Sequence, residues 1–543
     1  MKNRYAVFFT LLAGTVALLF ANVFVQRGIA SIVKENKLVD EDSVAEGTSP
    51  TVAFSMMALG GFRGLIADIL WIRASDLQQK GRYYELVQLS DWILKLQPKS
   101  AAAAAHMGWN MAYNVSVACK RPEDRWFWVR TGIRHMQKAV DLNPNDPSVY
   151  SELAWIYQHK LGNVLDDAHQ FYKRTMAREL LSIYGSHYPD WEAWAGSPAT
   201  EKALRETFPD DSPAWIALLN YNKGDLSRLL RDFKLNRGKL PEELTEKLSP
   251  EDASVLTYYL RRKWLKEEWN IVPEIVLAIN NEYGKLDWLL PESYGIYWAY
   301  EGLNHTPGRK NMPLSRHILQ SLVVSFHYGR MLLPKDNEAS DFFLLVPNTD
   351  VAEATDRLTK EILKSDEYSH VPFEALYENF LIDAVVTLYT YSQKEMAAQF
   401  YRKLRTETKN KEAKKLSLDQ FVILQWEDDV RSGSFKQTAN ELNGLLFTSC
   451  LLLGFGDYEN AESNLALAKL VYDIFEKEHA GLDRVKLPPF DEMKAMTARA
   501  IVENFPPEIA DRVRAELRED LLKLEKAEAE AARAAAEQES LEQ

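Results

Sequence analysis

With 543 residues the chain can bury one very large core or several modest ones, since single domains usually stop growing near about 250–300 residues. Its 46 % hydrophobic and 26 % charged residues are those of an ordinary globular protein that folds in water. A formal net charge of −13 excludes a sequence-independent nucleic-acid binder, because neutralising phosphates takes clustered Lys and Arg.

The first element in chain order is the apolar run Tyr5 to Val25, YAVFFTLLAGTVALLFANVFV, placed behind Lys2 and Arg4. It has about the 20 residues that a helix needs to cross the hydrocarbon core. Its polar members are Thr10, Thr15 and Asn22. A cleaved signal peptide is the competing reading. Signal peptides, however, carry a shorter apolar region of about 7–15 residues and a small-x-small cleavage site. The one loose candidate here, Gly28-Ile29-Ala30, follows the charged Arg27. The length therefore favours an uncleaved transmembrane signal anchor over residues 1–27. The positive-inside rule leaves Lys2 and Arg4 in the cytoplasm, although Arg27, Lys34 and Lys37 on the far side oppose it. A single-pass protein of a bacterial inner membrane, with its bulk in the periplasm, is expected.

Residues 28–50 are polar, with a charge run followed by Gly, Ser and Pro, and read as a linker. Behind them Gly60, Gly61 and Gly64 stand in an apolar context that helices normally avoid. Close packing against another helix explains them, as does contact with the bilayer surface.

From Thr51 onward the pattern is helical almost everywhere, with little β-type alternation. The stretch from Ala67 to Pro98 places Leu70, Ala74 and Leu77 in a first helix, Gly81 and Tyr83 at a turn, Leu86 and Ile93 in a second helix and Pro98 at its close. A second unit runs to Pro144 with Gly108, Met111 and Ala139, and is about a dozen residues longer than the usual repeat. A third begins at Pro147 with Tyr150, Ala154 and Tyr157, then Ala168 and Tyr172 after a turn stretched around Gly162. Two later units are Leu381 to Leu404, with Leu388, Ala397 and Tyr401, and Leu445 to Ala468, with the turn Gly456 to Ala461.

These units resemble the tetratricopeptide repeat (TPR) family. The resemblance implies stacked helix hairpins, each unable to bury its apolar face alone, and a concave groove lined by first helices. In this family the groove commonly holds an extended peptide or a partner's helix. On that frame Asp68, Trp71, Ser75 and Gln78 face inward in the first unit, Trp109 and Tyr113 in the second, and Trp155, Gln158 and His159 in the third. Aromatic rings with amide neighbours anchor peptides well, while filling of inter-repeat core is the competing use for the tryptophans.

The middle, about 182–347, departs from the repeat and is rich in tryptophan: Trp191, Trp194, Trp215, Trp264, Trp269, Trp288 and Trp298. Asp190, Asp287 and Glu292 are interleaved. Tryptophan beside paired carboxylates is what a helical glycan-active enzyme uses, and core tryptophan with solvated acids is the structural alternative. A C-terminal helical region spans 348–506, and residues 507–543 grade into a charged Ala/Glu-rich helical tail. Self-association of an envelope protein through that tail is a third, weaker reading.

CxxC, HExxH and GxSxG are absent, Gly302 to Lys310 is not a phosphate loop, and the histidines are scattered, so neither a metal nor a cofactor is expected. Cys119 and Cys450 lie in apolar stretches, which favours two buried free thiols over a disulfide. The expected fold is all-α, a transmembrane helix followed by a TPR-like solenoid with a divergent middle. The expected function is a scaffold without chemistry of its own, holding protein partners at the bacterial cell envelope in assembly or secretion.

Overall fold

The computed structural model describes residues 63–97, 100–163, 165–306, 311–333, 343–364, 373–391, 393–432, 435–478, 487–527 and 529–530. The predicted anchor, linker and glycines 60 and 61, Pro98 and the tip of the tail lie outside them. Among the described residues no helix is long and apolar enough to cross a membrane. The chain is predominantly helical and divides into two compact units between Ala103 and Ala104.

The first unit contains a helix hairpin, Arg63–Gln79 (α1) and Tyr83–Leu96 (α2). Gly81 turns the chain in a left-handed conformation, φ +67°, that a side chain rarely adopts. Ala67, Ala74 and Leu77 are buried on α1, and Leu86, Ile93 and Leu94 on α2. Leu70 is only half-buried.

The helix Ala101–Trp109 (α3), within whose first turn the division falls, widens into a π-helical turn, Asn110–Val115, before a last short piece, Ser116–Ala118. Its partner Pro122–Leu142 (α4) starts with Pro122 at the first turn and Glu123 and Asp124 beside it, a favourable match to the helix dipole. The two helices touch through glycine. A Cβ on Gly132 would lie 2.7 Å from the Gly108 carbonyl oxygen, and one on Gly108 would lie 2.5 Å from Met136.

Next come Pro147–Trp155 (α5), capped by the Asp146 carboxylate accepting from the Ser148 N–H at 2.9 Å, and its continuation as a second π turn, Ile156–Leu161. His169–Tyr184 (α6) follows. Tyr150, Ala154, Tyr157, Ala168 and Tyr172 are all buried, as their spacing predicts. The principal neighbour of α5 is nevertheless the later helix Pro291–His305.

The middle folds as Trp191–Gly196 (α7), Glu201–Thr207 (α8), Pro213–Asn222 (α9), Leu226–Leu235 (α10), Pro250–Trp269 (α11) and Pro273–Tyr283 (α12). Five of these starts are marked in the sequence: Asp190, Thr200, Ser212, Asp225 and Ser249 each accept a first-turn N–H with the side chain. Phe208, Trp215, Leu229, Phe233, Leu256 and Leu260 close a core between α8, α9, α10 and α11. Arg130 and Gln137 of α4 clamp the end of α11, donating to the carbonyls of Glu268 at 2.7 Å and Trp269 at 2.6 Å. The Arg130 guanidinium lies over the Trp269 ring, 3.5 Å from its centroid.

Pro291–His305 (α13) enters against α5 because it is small where α5 is large. Gly302 fits against Tyr150, where a Cβ would lie 2.8 Å away, and Gly295 faces the Ala154 carbonyl. Met312–Tyr328 (α14) pairs with α13. An antiparallel pair follows, Arg330–Leu332 (β1) with Leu344–Val346 (β2), register Met331↔Leu345, a small departure from the all-α expectation. Ala352–Leu363 (α15), Phe373–Thr390 (α16), Lys394–Glu407 (α17), Leu418–Ser432 (α18), Phe435–Phe455 (α19), Tyr458–Glu478 (α20), Phe490–Asn504 (α21) and Pro507–Glu516 (α22) complete the unit. Within this series α16 with α17 and α19 with α20 are hairpins, matching the two later predicted repeats. Leu381, Leu388, Ala397, Tyr401 and Leu404 are buried in the first, and Ala461 and Ala468 in the second.

Both cysteines are unpaired, but only Cys450 is buried. Cys119 is half-exposed, in extended backbone just past the short piece Ser116–Ala118.

Candidate protein-binding face

In the first unit, Asp68 and Ser75 are exposed on α1, and Trp71 and Gln78 are half-buried.

In the second unit the five predicted residues converge. Trp109 and Tyr113 lie one turn apart on α3 and stack with ring centroids 5.3 Å apart. Trp155 and His159 repeat that arrangement on α5, at 4.5 Å and nearly parallel. Tyr113 and His159 then join the helices, with centroids 5.8 Å apart and the phenol oxygen 3.4 Å from Nδ1. The result is a ribbon of four rings crossing two helices. Trp109 is exposed at one end, and the other three rings are half-buried.

Both ring pairs sit where an α-helix opens into a π turn, at a constant separation of 46 residues (Tyr113 to His159). Single π turns are rare and frequently mark functional positions. The spacing agrees with the long second unit read from the sequence, since these two hairpins recur at 46 residues, about a dozen more than the usual TPR of about 34.

Past Trp155 the ribbon meets the chain's own α14. The His317 ring lies 6.0 Å from Trp155, and its Nδ1 is 2.9 Å from the side-chain Oε1 of Gln158. Its Nε2 is 3.0 Å from the Ser151 hydroxyl. The Gln158 amide also donates to Gln320 at 3.1 Å. Gln158 is thus engaged within the molecule, and α14 closes that end of the face.

Burial lowers the pKa of both His159 and His317, the neighbouring Lys160 adding to the effect on His159. Both rings are therefore neutral at pH 7. Lys160 is buried, pairs with Asp166 and lies 5.4 Å from the Tyr113 ring centroid.

The acids of the middle region have structural partners. Asp190 caps α7. Asp287 is buried and accepts from His187 at 3.0 Å, the Met331 N–H at 2.8 Å and the Leu289 N–H at 3.0 Å. Glu292 is buried, with the Lys173 ammonium 3.5 Å away as an ion-pair partner and neither carboxylate oxygen hydrogen-bonded. Of the tryptophans, Trp191, Trp194, Trp215, Trp269, Trp288 and Trp298 are buried and Trp264 is half-buried. Of this set Trp264 alone keeps part of its ring at the surface. Among the described residues no group of three or more His, Cys, Asp or Glu is arranged to hold a metal.

Sequence reasoning missed α14 as the lid on this face. His317 is one of the scattered histidines, and nothing local ties it to Gln158, 159 positions earlier. No family model matches the chain, and no curated protein is similar to it.

Proposed function

We propose that this chain is a membrane-anchored, TPR-like scaffold that binds a protein partner across α3 and α5. The observation that carries the reading is the ribbon Trp109–Tyr113–His159–Trp155, partly exposed, with a stacked ring pair at matching positions of two successive hairpins. Rigid aromatic rings supply contact area at little entropic cost, which is why tryptophan and tyrosine dominate binding hot spots. The face takes an extended peptide or a helix entering from the open Trp109 end, because α14 already occupies the Gln158 end. The run Tyr5–Val25 behind Lys2 and Arg4 supports anchoring in a bacterial inner membrane with the bulk of the chain in the periplasm. The scaffold then serves the assembly or secretion of envelope components.

The test is affinity capture of the full-length protein from gently solubilised membranes, beside a Trp109→Ala/Trp155→Ala variant whose helical circular dichroism is unchanged. Envelope proteins recovered with the parent and lost from the variant are expected. The same set recovered with both sinks the assignment of this face.

A further inference from the structure

We propose that the outward face of α1 rests on the lipid headgroup region of the bilayer that anchors the chain. The inference depends on reading Tyr5–Val25 as a bilayer span.

The helix α1 is apolar on two opposite sides. Ala67, Ala74 and Leu77 face α2 and are buried. On the other side Leu65, Ile69 and Ile72, four and three residues apart and so on one helical face, are 57 %, 56 % and 72 % exposed. Large aliphatics belong singly on a protein surface, and an ordered row marks a contact. The same hairpin exposes Tyr84 (74 %) and Trp92 (59 %) on α2, the two ring types that concentrate where hydrocarbon meets water. Asp76, one turn beyond Ile72 on that face, is paired with Arg73 at 2.9 Å and Lys80 at 2.7 Å, so exposed Asp68, at the margin of the row between Leu65 and Ile72, is the acid that this face presents to the headgroups.

Lipid is the occupant that the rest of the chain favours. Residues 52–62, directly before α1, contain no charged side chain, so the apolar face continues into apolar sequence. A coil as long as the 28–50 linker spans on the order of 25–30 Å, about the length of α1 itself, which delivers the hairpin to the bilayer surface. Residues 63–97 carry five basic and four acidic side chains in a chain of net charge −13, so this hairpin escapes the repulsion that anionic headgroups exert on the remainder. A second copy is a poorer fit. Even at about 200 Å² per aromatic ring, five partly exposed side chains fall short of the about 800 Å² per partner that a stable dimer buries. Shallow insertion of one helix face needs no such area.

The test places a photoreactive diazirine amino acid at Ile72 of the full-length protein in native membranes, with a second form carrying it at exposed Leu235 as reference. After irradiation, phospholipid adducts at position 72 several-fold above those at 235 are expected. Cross-links from 72 to protein, whether a second copy, another chain or this chain's own first 62 residues, overturn the proposal, and so does an absence of adducts. An alkaline wash separates the causes. Protein that stays in the membrane yet gives no lipid adduct defeats the docking face alone, whereas protein released by the wash defeats the anchor as well.

Discussion

Gly132 and Gly444 are both helical glycines, and the structure predicts opposite responses to alanine. A Cβ at Gly132 meets a backbone carbonyl at 2.7 Å, while nothing lies within 4 Å of one at Gly444. Gly132→Ala should therefore cost about 1–3 kcal/mol through overpacking. Gly444→Ala should gain about 0.5–1 kcal/mol through helix propensity, with urea unfolding reading both. The histidines of the aromatic face make a pH prediction. Burial holds His159 and His317 below the unfolded value of about 6.5, so both are neutral in either state well above that pH. Below it the unfolded chain takes up protons that the folded chain resists, so these residues erode stability as pH falls from 7 toward 5. The loss should be smaller in His317→Gln, which retains amide partners for Ser151 and Gln158 without titrating; an unchanged pH dependence would remove His317 from the account. Thiol chemistry separates the two cysteines. Burial pushes the Cys450 thiol up to about 12, so a thiol reagent should modify half-exposed Cys119 in the native protein and reach Cys450 only on unfolding.

At the scale of elements, α13 carries a buried charge pair to α6 beside the small residues that it sets against α5. Glu292 in the first turn of α13 faces Lys173 of α6 at 3.5 Å, with both side chains buried. Removing one partner leaves an uncompensated buried charge, so Lys173→Met should cost about 3–5 kcal/mol. Lys173→Met/Glu292→Leu should cost much less, and equal losses in thermal unfolding would show that the pair is not coupled. The hairpins were legible from local spacing, because Gly108, Ala139, Ala154 and Ala168 stand where helices approach and Tyr150, Tyr157 and Tyr172 where they fill the core. The middle helices announced their starts through Asp190, Thr200, Ser212, Asp225 and Ser249. The pairing of α13 with α5 was not legible, although Gly295, Ala299 and Gly302 carry its signal at spacings of four and three. Periodicity says which face of a helix is small, and nothing about which distant helix it meets. The pair β1 and β2 escaped for a different reason: three-residue strands are too short to alternate.

For the whole molecule, the division at Ala103 separates the hairpin nearest the predicted anchor from a large helical body that carries the aromatic ribbon. Of that ribbon, the ring residues were named from sequence, whereas the π turns beside them were announced by no sequence pattern. The central claim is that this ribbon contacts another protein, and a photoreactive amino acid at position 109 of the full-length chain in native membranes tests it most directly. A discrete protein adduct at 109, missing when the group sits at exposed Leu235 and lost when Trp155→Ala is added, is the result predicted. Adducts at 109 no different from those at 235 would contradict the account.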